Sequence, residues 1–215
     1  MQRAAPVSVL ERSLLIAGGA IWLIAAISPV DRSAWILENL LLAVAVAWVV
    51  ATYRRWRLSS VSYVLIFIFS ALHVLGAHYT YSETPVGEWL QSLLGSERNH
   101  YDRAVHFLFG LLLVSPFRDQ VERALRIRTG AAWGASLLII TALSTGYELA
   151  EWLAAVVVSP ENAIAFLGTQ GDVFDAQKDM ALAVAGALLG LVAAVVINEV
   201  RARRARRRQP DLFAY

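Results

Sequence analysis

The sequence predicts an all-α protein, a polytopic membrane helix bundle with six transmembrane helices. Both termini are expected in the cytoplasm, and a short interfacial helix is expected between the third and fourth spans. Three observations predict this. Of the 215 residues, 58% are hydrophobic, and they gather into long blocks rather than amphipathic stripes. Six of the blocks reach or approach the length of about 20 residues that a helix needs to cross a bilayer. Finally, if the spans alternate, fifteen basic residues fall on one side and four on the other, which sets the orientation.

The first block, 14–30, follows Arg3 and Arg12 as a signal peptide would. No small-x-small cleavage site succeeds it and five more blocks do, so it is read as a retained anchor. The second, 34–53, ends at Arg54, Arg55 and Arg57, and the third covers 61–79. "TPVGEWLQSLL" then forms a short amphipathic stretch whose Trp89 suits headgroup level. The fourth block, 102–117, is purely apolar only over 104–117, which leaves Asp102 at the headgroups. The fifth spans 131–158. The sixth, 180–200, carries a GxxxG step at Gly186 and Gly190 flanked by Ala183, Ala187 and Ala194, a pattern for close helix packing.

One domain is expected over 1–200, followed by a basic cytoplasmic tail over 201–215. Directly after a span, "RARRARRR" reads as a topology signal that meets anionic headgroups, not as a nucleic-acid patch. The chain has no cysteine, which excludes disulfides, thiolate metal sites and cysteine nucleophiles. No internal repeat supports the inverted-repeat plan of many transporters, and nothing in the pattern specifies an oligomer.

The polar residues converge on the outer side. His73, His78, His100 and His106 fall between the outer half of span three and the start of span four. Glu148 and Glu151 close span five, while Asp172, Asp175 and Asp179 open span six. Ionisable groups within spans are costly, and they usually face a bundle interior or a water-filled cavity. Asp102 and His106 are four apart and share a helix face, as do Glu148 and Glu151, three apart. His73 and His78 lie ~140° apart around a helix, so one of them is expected at the site, and His78 is nearer the outer end.

Plainer roles fit some of these residues. Asp172 after Gly171 suits an N-cap and Asp175 suits the positive first turn. Glu148 and Glu151 suit interhelical pairing with Arg98, Arg103 or Lys178, and His106 suits a single hydrogen bond within the bundle. Asp179 is harder to account for, because it lies about 10 Å along the helix from Asp172, beyond the reach of the terminal dipole.

Three segments carry a family resemblance: "GAHYTYSETPVGEWL" (76–90), "ERNHYDRAVHFLFGLLL" (97–113) and "GTQGDVFDAQKDMALA" (168–183). They resemble the YjdF-like bacterial inner-membrane proteins, defined as a domain of unknown function. A looser likeness extends to the VanZ-like membrane proteins, whose pattern is Asp-x-x-x-His-Phe, Glu-x-x-Gln and Asp-x-x-x-Asn. Asp102/His106/Phe107, Glu148/Glu151 and Asp175/Asp179 match it, with Glu151 in place of Gln and Asp179 in place of Asn. The resemblance implies an inner-membrane location and the same outward pocket, made more acidic here.

Three functions fit such a pocket. In a metal-dependent membrane enzyme, His78, Asp102, His106, Asp175 and Asp179 ligate zinc, magnesium or manganese, and Glu148 or Glu151 activates water. Its substrate would be a lipid, or a lipid-linked or other cell-envelope molecule, and Lys178 would pair with carboxylates or a phosphate. In a proton- or cation-coupled transporter, the same acids and histidine bind and release their cargo. In a non-catalytic accessory protein, the pocket holds a polar ligand or another membrane protein.

Overall fold

Helix starts follow the capping residues in the sequence. Ser8 closes a reciprocal capping box with Glu11 at the head of α1 (Val9–Ala25). Asp31 caps α2 (Arg32–Tyr53) through the Ala34 amide, and Ser59 caps α3 (Ser60–His78) through the Ser62 amide. Thr84 caps α4 (Pro85–Leu94), which ends at Gly95 in the left-handed conformation, φ 60°. Then come α5 (Tyr101–Leu125), α6 (Thr129–Val157) and α7 (Asp175–Arg208). The computed structural model describes residues 6–157 and 167–208, and among these there are seven helices and no strand. The expected end of the fifth span at residue 158 and the tail beyond residue 208 lie outside the described residues.

Four helical stretches are long and apolar enough to cross a bilayer: Arg32–Tyr53, Ser60–His78, Thr129–Val157 and Asp175–Arg204. α1 has 17 residues. α5 runs past the expected end of its span, through the buried Pro116, and carries Arg118, Asp119, Glu122 and Arg123 in its last turns. α7 opens five residues before the expected apolar block, so the cap position falls on Phe174 and not on Asp172. Asp172 instead accepts the Phe174 amide at 3.1 Å in a local turn.

The bundle has two ends of different chemistry. At one, Glu11 takes the Arg57 guanidinium at 2.6 Å and the Tyr53 hydroxyl at 3.0 Å, and Ser62 donates to Asp119 at 2.6 Å. At the other, the Val30 amide donates to the His78 carbonyl at 3.0 Å and Arg32 to the Ala26 carbonyl at 2.8 Å. The two are separated by an apolar core of Leu113, Val114, Trp133, Ile140, Ala183 and Ala187. The outer faces are apolar as well, with Ile16, Val44, Leu138 and Val196 all exposed, as in helices that meet lipid tails. α4 leaves Trp89, Leu93 and Leu94 uncovered.

The tightest seam joins α5 and α7. A Cβ on Gly110 would fall onto the Ala183 carbonyl oxygen, and one on Gly186 onto the Phe107 carbonyl. One on Gly190 would lie 2.7 Å from the Leu111 oxygen. The GxxxG step therefore packs within the chain, where dispersion contacts between backbones replace the hydrophobic effect that lipid does not supply.

Candidate metal centre

The seam positions the site. One turn before Gly110 on α5 is His106, and one turn before Ala183 on α7 is Asp179. Because the two backbones touch at Gly110 and Ala183, these side chains are brought face to face in the next layer. Asp179 is 2% exposed and His106 8%. Asp102, four residues before His106, completes a set whose ligand atoms all lie within 4.8 Å of one another.

Glu148 enters from α6. Its Oε1 lies 3.5 Å from His106 Nε2, and Asp102 Oδ1 lies 3.6 Å from the same nitrogen. Among the described residues, two of the buried oxygens, Asp179 Oδ1 and Glu148 Oε1, have no hydrogen-bond partner. An unmade hydrogen bond at a buried acceptor costs about 1–3 kcal/mol, and an uncompensated charge costs more. The two spacings at His106 Nε2, 3.5 and 3.6 Å, are close to the ~3.4 Å between ligands ~2.1 Å from a tetrahedral centre, and the Asp179 oxygen lies within 4.8 Å of the Asp102 and His106 ligand atoms. A set of carboxylate oxygens and one imidazole suits zinc or manganese better than magnesium, which prefers oxygen ligands alone.

A second polar group adjoins the first. Tyr147 donates its hydroxyl to Glu38 at 3.0 Å and sets its ring edge-on to His106, 5.6 Å between centroids. His73 contacts the Glu38 carbonyl through Nε2 at 3.2 Å and the Tyr81 hydroxyl through Nδ1 at 2.6 Å. Both fit the tautomer with the proton on Nε2, which donates to the carbonyl while Nδ1 accepts from Tyr81. Glu151 lies within Coulombic range of Asp102, Glu148 and Glu38.

Toward the end of the bundle the site is closed by a clamp. Arg98 binds Asp175 at 2.6 Å and the Thr169 carbonyl at 2.6 Å, and Gln170 exchanges two hydrogen bonds with the Asn99 backbone at 2.9 and 3.0 Å. Arg103 bridges Asp172 and Asp175, and Lys178 reaches Asp172 at 2.5 Å. The Lys178 ammonium, followed by the Phe174 amide, holds the Asp172 carboxyl at about 2, below its ordinary 3.8. A carboxyl lowered in the fold contributes stability that is present above its unfolded value and lost as pH falls through its folded one. Hydrogen exchange in the 168–172 loop, corrected for intrinsic rate, is therefore expected to stay slow at about pH 4 and to rise toward about pH 2. Asp172→Asn is expected to make it fast at both.

Of the residues expected at the site, Asp102, His106, Glu148 and Asp179 come together, with Glu151 beside them. Asp175 is placed otherwise, in the arginine clamp, where its two oxygens are taken up. His78 is also placed elsewhere: its Nδ1 contacts the Ala25 carbonyl at 2.9 Å, holding α3 to α1. His73 is the histidine of that helix that turns toward the acids, because its face of α3 packs on α2 and not on α1. Arg98 and Arg103 pair with the aspartates before and within α7, not with Glu148 or Glu151. Glu38 is not among the residues expected at the site, although a lone acid inside an apolar span is itself a signal of an interior polar partner.

An all-helical bundle with apolar outer faces and ionisable groups gathered inside it is a multi-pass integral membrane protein. Residues 10–199 match the family described as "Predicted membrane protein (DUF2238)". The chain is also 38% identical over 168 residues to the inner membrane protein YjdF of Escherichia coli (strain K12), covering 77% of this chain and 79% of that one. The protein belongs to this DUF2238 family of bacterial inner-membrane proteins. No solved structure matches it. The likeness to VanZ-like proteins rests on the three motif matches alone.

Proposed function

We propose that the protein is a metal-dependent hydrolase whose site faces outward from the inner membrane, acting on a lipid or lipid-linked envelope substrate. Six spans, both termini in the cytoplasm and α4 lying in the interface direct the acidic end outward, in agreement with the arginine asymmetry. Asp102, His106 and Asp179 hold zinc or manganese, and Glu148 stands beside them as the base, with Glu151 behind it. The ion supplies Lewis acidity and a water nucleophile at neutral pH. Glu148 accepts the proton of that water, and Tyr147, anchored on Glu38, packs edge-on against the His106 ring.

The observation that carries this reading is Asp179 Oδ1: a buried carboxylate oxygen with no partner among the described residues, facing an imidazole and a second carboxylate. A transporter of protons or cations is favoured less. The core of Leu113, Val114, Ile140, Ala183 and Ala187 below the site is interrupted by the buried hydroxyls of Ser136 and Ser144 but, among the described residues, by no ionisable group. Elemental analysis of the detergent-purified protein, loaded with zinc or manganese and desalted, is expected to return about one metal per chain. A metal-free result after loading would overturn the proposal.

A further inference from the structure

In the clamp above the centre, among the described residues, three cations, Arg98, Arg103 and Lys178, pair with two carboxylates, Asp172 and Asp175. Both acids are shared: Asp175 Oδ1 serves Arg98 at 2.6 Å and Arg103 at 3.3 Å, and Asp172 Oδ2 serves Arg103 and Lys178. Arg98 is occupied by its backbone bonds to Thr169 and Gly168 and is the structural member. Arg103 is not. It uses only Nη2, and among the described residues its Nη1 has no partner; the buried Nε lacks one in both arginines. Lys178 is half exposed and, among the described residues, has a single polar contact, Asp172.

A guanidinium with open donors beside a half-free ammonium suits a tetrahedral oxyanion, which accepts from both at once. The seat lies one helical turn from the metal ligands: Asp175 precedes Asp179 by four residues, ~6 Å along α7. Arg103 directly follows Asp102. We infer that Arg103 and Lys178 recognise the phosphate of the substrate, which is a phosphate monoester carried on an envelope lipid. This rests on the hydrolase reading and names its substrate class. In the reaction the water oxygen bonds to phosphorus and the bond from phosphorus to the ester oxygen breaks. The water's proton passes through Glu148 to the departing oxygen, which leaves as the lipid alcohol while inorganic phosphate is released.

The test uses full-length protein in detergent, with manganese content and ligand affinity measured separately. The probes are inorganic phosphate, inorganic pyrophosphate, and mixed micelles containing phosphatidic acid or, as a control, phosphatidylcholine. Phosphatidic acid is expected to bind and phosphatidylcholine not to. Arg103→Gln and Lys178→Gln are each expected to weaken phosphatidic acid binding at least tenfold while manganese content stays at the wild-type level. Lys178→Gln alters only an exposed side chain and keeps the result readable if Arg103→Gln misfolds.

Manganese-loaded protein that binds none of the phosphates, or binds them equally in Lys178→Gln, would overturn the phosphate seat and leave the metal reading standing. Protein that takes up no metal yet loses phosphate binding in Lys178→Gln would overturn the metal reading and uphold the seat. Inorganic phosphate binding as tightly as the lipid would uphold the seat and overturn the lipid source.

Discussion

Asp179→Asn is expected to have opposite effects on the metal-free and the metal-loaded protein. Without metal, wild-type Asp179 is a buried carboxylate with one unpartnered oxygen. Its neutral amide removes the uncompensated charge, and the variant is expected to be more stable by about 1–3 kcal/mol. With zinc or manganese at 100 times its dissociation constant, the wild type gains about 2.7 kcal/mol and the variant gains nothing. Thermal unfolding in detergent, followed with and without metal, reads both arms. His106→Ala is expected to lose the metal-dependent shift as well. His78→Ala is expected to keep it, because that ring contacts Ala25 and not the acids. A variant of Asp179 with an unaltered metal shift would remove the centre from the proposal.

Gly110→Val is expected to cost about 3 kcal/mol of stability, together with loss of metal uptake. The new side chain would fall on the Ala183 carbonyl and lie 2.6 Å from the Ala187 nitrogen, and both of these are backbone atoms that cannot rotate away. α5 and α7 would have to separate, carrying His106 away from Asp179 one turn along. Gly134 on α6 has nothing within 4 Å of its Cβ position, so Gly134→Ala is expected to leave metal uptake intact. That replacement is expected to stabilise the helix by about 0.5–1 kcal/mol. Thermal unfolding and metal content on the same samples separate the two glycines.

Much of the bundle was legible in the chain. Long apolar blocks identify helices that meet lipid, because in a bilayer every backbone amide must be satisfied within its own segment. The i,i+4 spacing of Asp102 and His106 placed both on one face, since the helical period is a local property. The convergence of the ionisable groups toward one end was also readable, because charge is tolerated in a span only where it turns inward. Glu38 carries that same signal but stands outside the window where the histidines gather.

The sequence by itself determined the helices, their apolar faces, the crowding of acids at one end and the small residues that allow a close seam. Only the tertiary structure decided which acids meet. Asp175 and Asp179 lie on the same stripe of α7, yet one is neutralised by Arg98 and Arg103 and the other is left unpaired against His106. His73, not His78, turns to the acids because α2 and not α1 covers that face of α3. The physical reason is the same in each case. Helical periodicity sets the direction of a side chain relative to its own axis, but its partners depend on the rotation and depth at which two axes dock. Here that depth is set by backbone contact at Gly110 and Gly186, far along the chain from most of the groups it brings together.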